Sequence, residues 1–202
     1  MTPPAPARDP QRMKLRRELW ARRAAQPLAT RRAAERLICS HLAHAGWFRP
    51  GLAVGLYRSR DSEVDTAPLL ELARSRGCRV YVPRIIDFVH HRMLLVRDGG
   101  ERRVMNRYRI FEPRGGQSLP ATAFPLILMP LVGFDGAGNR LGNGAGFYDR
   151  FVAKRRGRKG KPLLIGIAFE CQRVPSLPVA AHDIPLDAVL TERGLQYFNR
   201  GP

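Results

Sequence analysis

The stretch RLGNGAGFYDRF, residues 140–151, gathers the groups best suited to chemistry. Gly142, Gly144 and Gly146 fall at every second position, and Phe147, Tyr148 and Asp149 follow at once. Glycines let backbone amides come close to a phosphate, and Arg140 just ahead can fork onto one with its guanidinium. A carboxylate at Asp149, one turn into a following helix, is placed to hold Mg²⁺ beside that phosphate. The same pattern also reads as a bare turn, with Asp149 balancing a helix dipole and Phe147 and Tyr148 as core aromatics. The GxxxxGK[ST] loop is absent, because no Lys-Ser or Lys-Thr follows the glycines. The GxGxxG fingerprint is absent too, because the spacing is GxGxG.

Hydrophobic periodicity gives the elements that must hold this loop. Residues 13–25 have helical composition, with Leu15, Leu19 and Trp20 on one side. Thr30 is a candidate cap for a second helix carrying Leu37, Ile38 and Leu42, closed by Gly46. Residues 52–57 read as a buried strand, 66–76 as a helix, 79–85 as a strand, and 93–97 as an edge strand. Long apolar runs follow at 126–134, 163–169 and 188–191. Strands this apolar, alternating with helices, predict an α/β fold. The form expected is a single-domain three-layer α/β/α arrangement with a mainly parallel (mixed) central sheet. The polar segment 98–122 is expected to lie over that sheet, residues 1–11 to form a disordered tail, and residues 12–198 to form one domain. The glycine loop then falls between the 126–134 strand and a helix over 147–156, where α/β folds bind phosphate.

Composition narrows the partners. No apolar run is long enough for a membrane span, and the N-terminus lacks the apolar region of a secretory signal. Cys39, Cys78 and Cys171 form no CxxC pair, which predicts free thiols in a reducing compartment, the cytoplasm. The net charge is +18 over 202 residues. Ten Lys and Arg against three acids lie in residues 1–36, and KRRGRKGK at 154–161 adds six more. Such a balance suits a polyanion: nucleic acid, an acidic surface or a phosphorylated small substrate. A nucleic-acid-binding protein would account for the charge but not for the glycine–aspartate constellation. No zinc finger or aromatic RNP motif is present.

The longer stretch MPLVGFDGAGNRLGNGAGFYDRF closely resembles the signature of the 5-formyltetrahydrofolate cyclo-ligase family, P-x-x-x-F-D-x-x-G-x-R-L-G-x-G-x-G-[FY]-Y-D-R. Pro130, Phe134, Asp135, Gly138, Arg140, Leu141, Gly142, Gly144, Gly146, Phe147, Tyr148, Asp149 and Arg150 meet its fixed positions. SEVDT at 62–66, VYVPR at 80–84, MNRYRIFEP at 105–113 and the segment from IGIAFECQRV onward resemble other family portions in the same order.

The resemblance implies an enzyme that converts 5-formyltetrahydrofolate to 5,10-methenyltetrahydrofolate with Mg-ATP. The formyl oxygen takes the γ-phosphoryl group, N10 closes the ring, and ADP and phosphate leave. It implies catalytic roles for Arg140 and Tyr148. ATP contacts are implied from Arg12, Arg16, Arg140, Leu141, Gly142, Asn143, Gly144, Ala145, Gly146, Phe147 and Tyr148. It implies folate contacts from Arg58, Glu63, Asn143, Gly144, Ala145, Gly146 and Phe147, and Mg²⁺ ligation by Asp149 and Asp183. Arg12 stands where the family has Lys, and a register using Lys14 is open. Arg58 stands where other members carry an apolar neighbour of the pterin, and Ala145 where some carry Lys. The expected partner is 5-formyltetrahydrofolate or its polyglutamylated forms, bound by a monomer. A secondary nucleic-acid contact through the basic surface and an altered substrate stay open.

Overall fold

The computed structural model describes residues 9–99, 102–153 and 162–198. Residues 1–8 of the tail expected at 1–11 and the basic run at 154–161 lie outside them. Helix α1 spans Pro10–Ala24, three residues earlier than apolar periodicity suggests. Asp9 caps it by accepting from the Gln11 and Arg12 amides, and Pro10 occupies a first-turn position where its missing N–H costs nothing. The boundary expected at residue 12 therefore falls inside this helix. Helix α2 spans Leu28–His44 and begins after Pro27, not at Thr30. Proline's fixed φ starts it without a side-chain cap.

The strands are β1 (Ala53–Gly55), β2 (Arg79–Asp87), β3 (Arg92–Arg97), β4 (Arg103–Met105), β5 (Phe111–Pro113) and β6 (Ser118–Leu119) in the first half. The second half adds β7 (Leu126–Pro130), β8 (Gly133–Phe134), β9 (Arg140–Leu141), β10 (Leu163–Ile167), β11 (Ala188–Thr191) and β12 (Gly194–Tyr197). Helices α3 (Ala67–Ser75) and α4 (Phe147–Val152) complete the list among the described residues. The main sheet runs β12-β11-β10-β7-β1-β2-β3-β6. Its five inner strands, β11 to β2 in that order, pair in parallel, and β12, β3 and β6 add antiparallel pairings at the two ends. This is the mixed, mainly parallel sheet that the apolar runs predict.

Two expectations change. Segment 98–122 is not wholly outside the sheet: β6 pairs with β3, so β3 is not the outermost strand. Strands β4 and β5 form a hairpin of their own. These strands are two or three residues long, too short for a period-2 signal to stand out.

One face of the sheet packs on Ile38 and Leu42 of α2 and Leu69 and Leu70 of α3. The other packs on Phe124 and on Val152 of α4. Helix α1 has a separate seat. Its Leu19 is fully buried with Val132, Leu141, Val174 and Leu177, beyond the carboxyl end of β7. Gly133 makes room for it: a Cβ there would lie 2.5 Å from the Leu19 Cδ1.

Between β8 and β9 the chain reverses around Asp135, which is 2% exposed. Its carboxylate accepts from the amides of Ala137, Asn139 and Leu177 and from the Asn139 side chain. Gly138 sits in this turn at φ +82°, and its carbonyl accepts from the Leu186 amide. A Cβ on Gly138 would come within 2.9 Å of the Phe198 ring and 3.0 Å of the Leu186 carbonyl oxygen. Gly138→Ala combines left-handed backbone strain with that close contact. It is expected to cost about 1–3 kcal/mol of stability, read as a lowered urea midpoint.

Candidate active site

Hairpin β8–β9 delivers Arg140 into the protein, where its side chain is 4% exposed. Nη2 donates to Asp149 Oδ1 at 2.6 Å, and Nε is buried without a partner. The same Asp149 oxygen accepts from the Ile184 amide at 3.1 Å. Asp183 lies next along the chain. It accepts from Arg12 at 2.7 and 3.2 Å and from the Ala180 amide at 2.8 Å. Two carboxylates distant in sequence thus flank one end of the glycine loop, each braced by an arginine. Burial would raise the Asp183 carboxyl, but the hydrogen bonds from Arg12 and Ala180 outweigh it and hold it below its usual value.

Arg16, one turn along α1 from Arg12, donates from Nε to the Gly142 carbonyl at 2.8 Å. Gly144 has φ +103°, and a Cβ there would lie 3.5 Å from the Arg16 guanidinium carbon. The loop needs its glycines for conformation and for this close approach of a cation. Lys14 points elsewhere: it is three-quarters exposed and 3.9 Å from Glu18. The register through Arg12 and Arg16 is the one that reaches the loop. The Ala145 carbonyl accepts from Arg150 Nη1 at 2.8 Å, which brings a second guanidinium to the loop.

On its other side the loop borders a cavity of about 590 Å³, within the range of small-molecule sites. Gly142, Asn143, Ala145, Gly146, Phe147 and Tyr148 line it, with Arg58, Glu63, Arg140 and Asp149. Leu141 is buried under the loop with Leu19 and Val132 rather than in the cavity wall.

Glu63 is 8% exposed. It accepts from the Arg60 amide at 3.1 Å and from the Asn143 side chain, which ties the β1–α3 loop to the glycine loop. Burial raises its carboxyl above the ordinary value, against the opposing pull of Arg23. The Tyr148 hydroxyl is buried with no partner, and desolvation pushes its phenol far up. At neutral pH it is a protonated donor awaiting an acceptor.

Several cavity residues escape sequence reasoning. Arg23 is 5% exposed and donates to Ser62 and to the Leu131 carbonyl, yet in the sequence it is one arginine among many. Tyr57 is buried beside Glu63, and its phenol is raised by burial. Glu112 is 5% exposed and accepts from the Ile85 amide and the Asn106 side chain. Its only signal was its place in MNRYRIFEP. Tyr108 lines the cavity, and behind the wall Phe88 packs edge-on against both Tyr108 and Phe147, with His91 edge-on against Phe147.

Among the described residues, no three His, Cys, Asp or Glu side chains group as a protein metal cage. Two carboxylates, Asp149 and Asp183, beside an amide- and arginine-rich loop suit a different donor set. Mg²⁺ commonly takes one or two carboxylates and completes its shell with phosphate oxygens and water.

The chain matches the model of the 5-formyltetrahydrofolate cyclo-ligase family over residues 8–192. It is 40% identical over 141 residues to the 5-formyltetrahydrofolate cyclo-ligase of Escherichia coli, covering 68% of this chain and 76% of that one. It is 31% identical over 182 residues to that of Haemophilus influenzae, covering 89% and 96%. The structure superposes on the 5,10-methenyltetrahydrofolate synthetase of Aquifex aeolicus with a TM-score of 0.80 at 27% identity, over 95% and 94% of the two chains.

The buried Glu63 has a signature in stability. Its folded carboxyl holds its proton more tightly than the unfolded one, so its contribution to stability grows as pH falls through the folded value. Glu63→Gln is therefore expected to melt higher than wild type at about pH 8, with the gap closing toward about pH 4. Thermal unfolding followed by circular dichroism across that range reads the difference.

Proposed function

The chain belongs to the 5-formyltetrahydrofolate cyclo-ligase family, and we propose that it carries out that conversion by ATP-dependent activation of the formyl group. One observation supports this most. A single glycine loop has the arginines of α1 on one side and a folate-sized cavity with a buried carboxylate on the other. A phosphate donor and a pterin bound on those two sides would meet at the loop.

In this reading Arg12, Arg16 and the amides of residues 142–146 hold the nucleotide phosphates, with Arg150 close by. Asp149 and Asp183 would hold Mg²⁺, which would supply charge neutralisation at the phosphates.

Glu63 accepts from the amino-pyrimidine edge of the pterin, and Phe147 packs along the ring. The formyl oxygen attacks the γ-phosphorus, a new O–P bond forms, and the bond to the β-phosphate oxygen breaks. N10 then bonds to the formyl carbon, phosphate leaves with the former formyl oxygen, and N10 gives up its proton. An amide-like oxygen is a poor leaving group, and phosphorylation corrects that. Arg140 stays charged and desolvated beside the reacting groups, where fixed charge acts most strongly. The Tyr148 hydroxyl supplies a fixed hydrogen bond to oxygen there, since it has no competing partner in the protein.

A second reading, a changed folate substrate, rests on Arg58, a charged residue in the cavity wall. The protein's charge adds no third reading of equal weight, because ATP and polyglutamylated folates are themselves polyanions.

The test is absorbance of the conjugated methenyl product on mixing protein, 5-formyltetrahydrofolate, Mg²⁺ and ATP. Wild type is expected to form product only with ATP present. Asp149→Ala and Arg140→Ala are each expected to lose about 100-fold or more in kcat while keeping a folded circular dichroism spectrum. A folded wild type that forms no product would overturn the proposal.

A further inference from the structure

Just behind the cavity wall lies a carboxylate that the catalytic reading does not use. The Asp98 side chain is 1% exposed, and its backbone amide is pinned to the Val80 carbonyl at 2.8 Å. Arg58 Nη2 donates to its Oδ2 at 2.6 Å, and Arg74 Nη2 to the same oxygen at 2.5 Å. Arg103 approaches Oδ1 at 3.7 Å. Arg74 and Arg103 are well exposed, so water satisfies much of their charge. Arg58 differs. It is the member of the group that lines the cavity, and its Nε is buried with no acceptor. A buried guanidinium donor left unpaired is costly unless a ligand completes it.

The chemistry of the cavity says which ligand atom that would be. An amino-pyrimidinone edge presents two donors, the ring N3–H and the 2-amino group, and one acceptor, the 4-oxo oxygen. Glu63, as a carboxylate, takes the donors and can offer nothing to the acceptor. Arg58 stands on the same β1–α3 loop, lines the same cavity and can only donate. We propose that Arg58 donates to the 4-oxo group of the bound pterin, that Asp98 is the positioning residue that aims it, and that the pair selects 4-oxo over 4-amino pteridines. The inference rests on the folate reading above. An apolar residue at position 58 would tolerate either ring. A guanidinium facing a 4-amino group meets donor with donor, and the mispaired ligand leaves both unsatisfied.

The experiment compares two ligands, 5-formyltetrahydrofolate and its 4-amino counterpart, 5-formyltetrahydroaminopterin. Binding is followed without ATP through the fluorescence of Trp20, which lines the cavity. Wild type is expected to prefer the 4-oxo ligand by about tenfold or more. Arg58→Met leaves Asp98 paired with Arg74 and Arg103, and should bring the ratio to within about threefold of unity by weakening the 4-oxo ligand alone. Arg58→Lys should recover part of the preference, and Asp98→Asn should give an intermediate ratio with KM for folate raised more than kcat is lowered. General loosening of the fold would weaken both ligands together and leave the ratio unmoved. A wild type without preference, or an Arg58→Met protein that keeps it, overturns the role of Arg58. A wild type that neither binds nor converts 5-formyltetrahydrofolate overturns the folate reading itself, and the two failures are distinct.

Discussion

The buried contact between Arg140 and Asp149 is the joint on which the rest of the site turns. One guanidinium, almost wholly removed from water, meets one carboxylate oxygen that also receives the Ile184 amide. That single oxygen joins β9, α4 and the loop that carries Asp183. A charge pair at such a depth contributes little net stability once its desolvation is counted, but removing either partner leaves a buried charge alone. The arrangement therefore fixes geometry more than it adds stability, and it keeps a cation in low dielectric beside the glycine loop, where its field is least screened.

A second constraint closes the site from above. Helix α1 has no strand to cover and is instead seated by Leu19 in the space left by Gly133. That seat is apolar and carries the burial energy. The polar contacts of Arg12 with Asp183 and Arg16 with Gly142 only set the rotation of the helix. The division matters for dynamics. The apolar anchor, Leu19 with Leu15 beside it, leaves the first turns of α1 tied to the rest of the protein by one ion pair, Arg12–Asp183, and one hydrogen bond, Arg16 to Gly142.

The signature stretch itself divides into two parts with different work. Phe134, Asp135 and Gly138 build a turn: a core ring, a carboxylate that saturates the turn's amides, and a left-handed glycine under Phe198. Arg140, Gly142, Gly144, Gly146, Tyr148 and Asp149 face the cavity or the α1 arginines. The first part makes the second possible, because a rigid reversal is what aims Arg140 inward. Polar groups left without partners fall only in the second part, at Arg140 and Tyr148, where a ligand can supply what the fold withholds.

Much was legible in the sequence for a physical reason. Parallel strands covered on both faces must be continuously apolar, so β7, β10 and β11 announced themselves, and the mixed α/β sheet followed. The glycine loop was legible because its spacing and its flanking Arg and Asp are dictated by close approach and charge. The helix starts were not, because Asp9 and Pro10 acted as a capping pair where composition suggested a tail. Strands β4, β5 and β6 were missed because two or three residues carry no period.

The resemblance pointed to Arg12, Arg16 and Arg58; the tertiary structure alone added Arg23 and gave each of the four its surroundings. Arg12, Arg16, Arg23 and Arg58 have the same side chain as their neighbours in sequence. Only the packing of α1 against the strand ends, and of the β1–α3 loop against Asp98, buries Arg23, half-buries the other three and gives each a fixed partner. Sequence determined the kinds of groups available and the loop that could gather phosphate. Burial, which depends on contacts between residues far apart in the chain, determined which charges are held still enough to do chemistry.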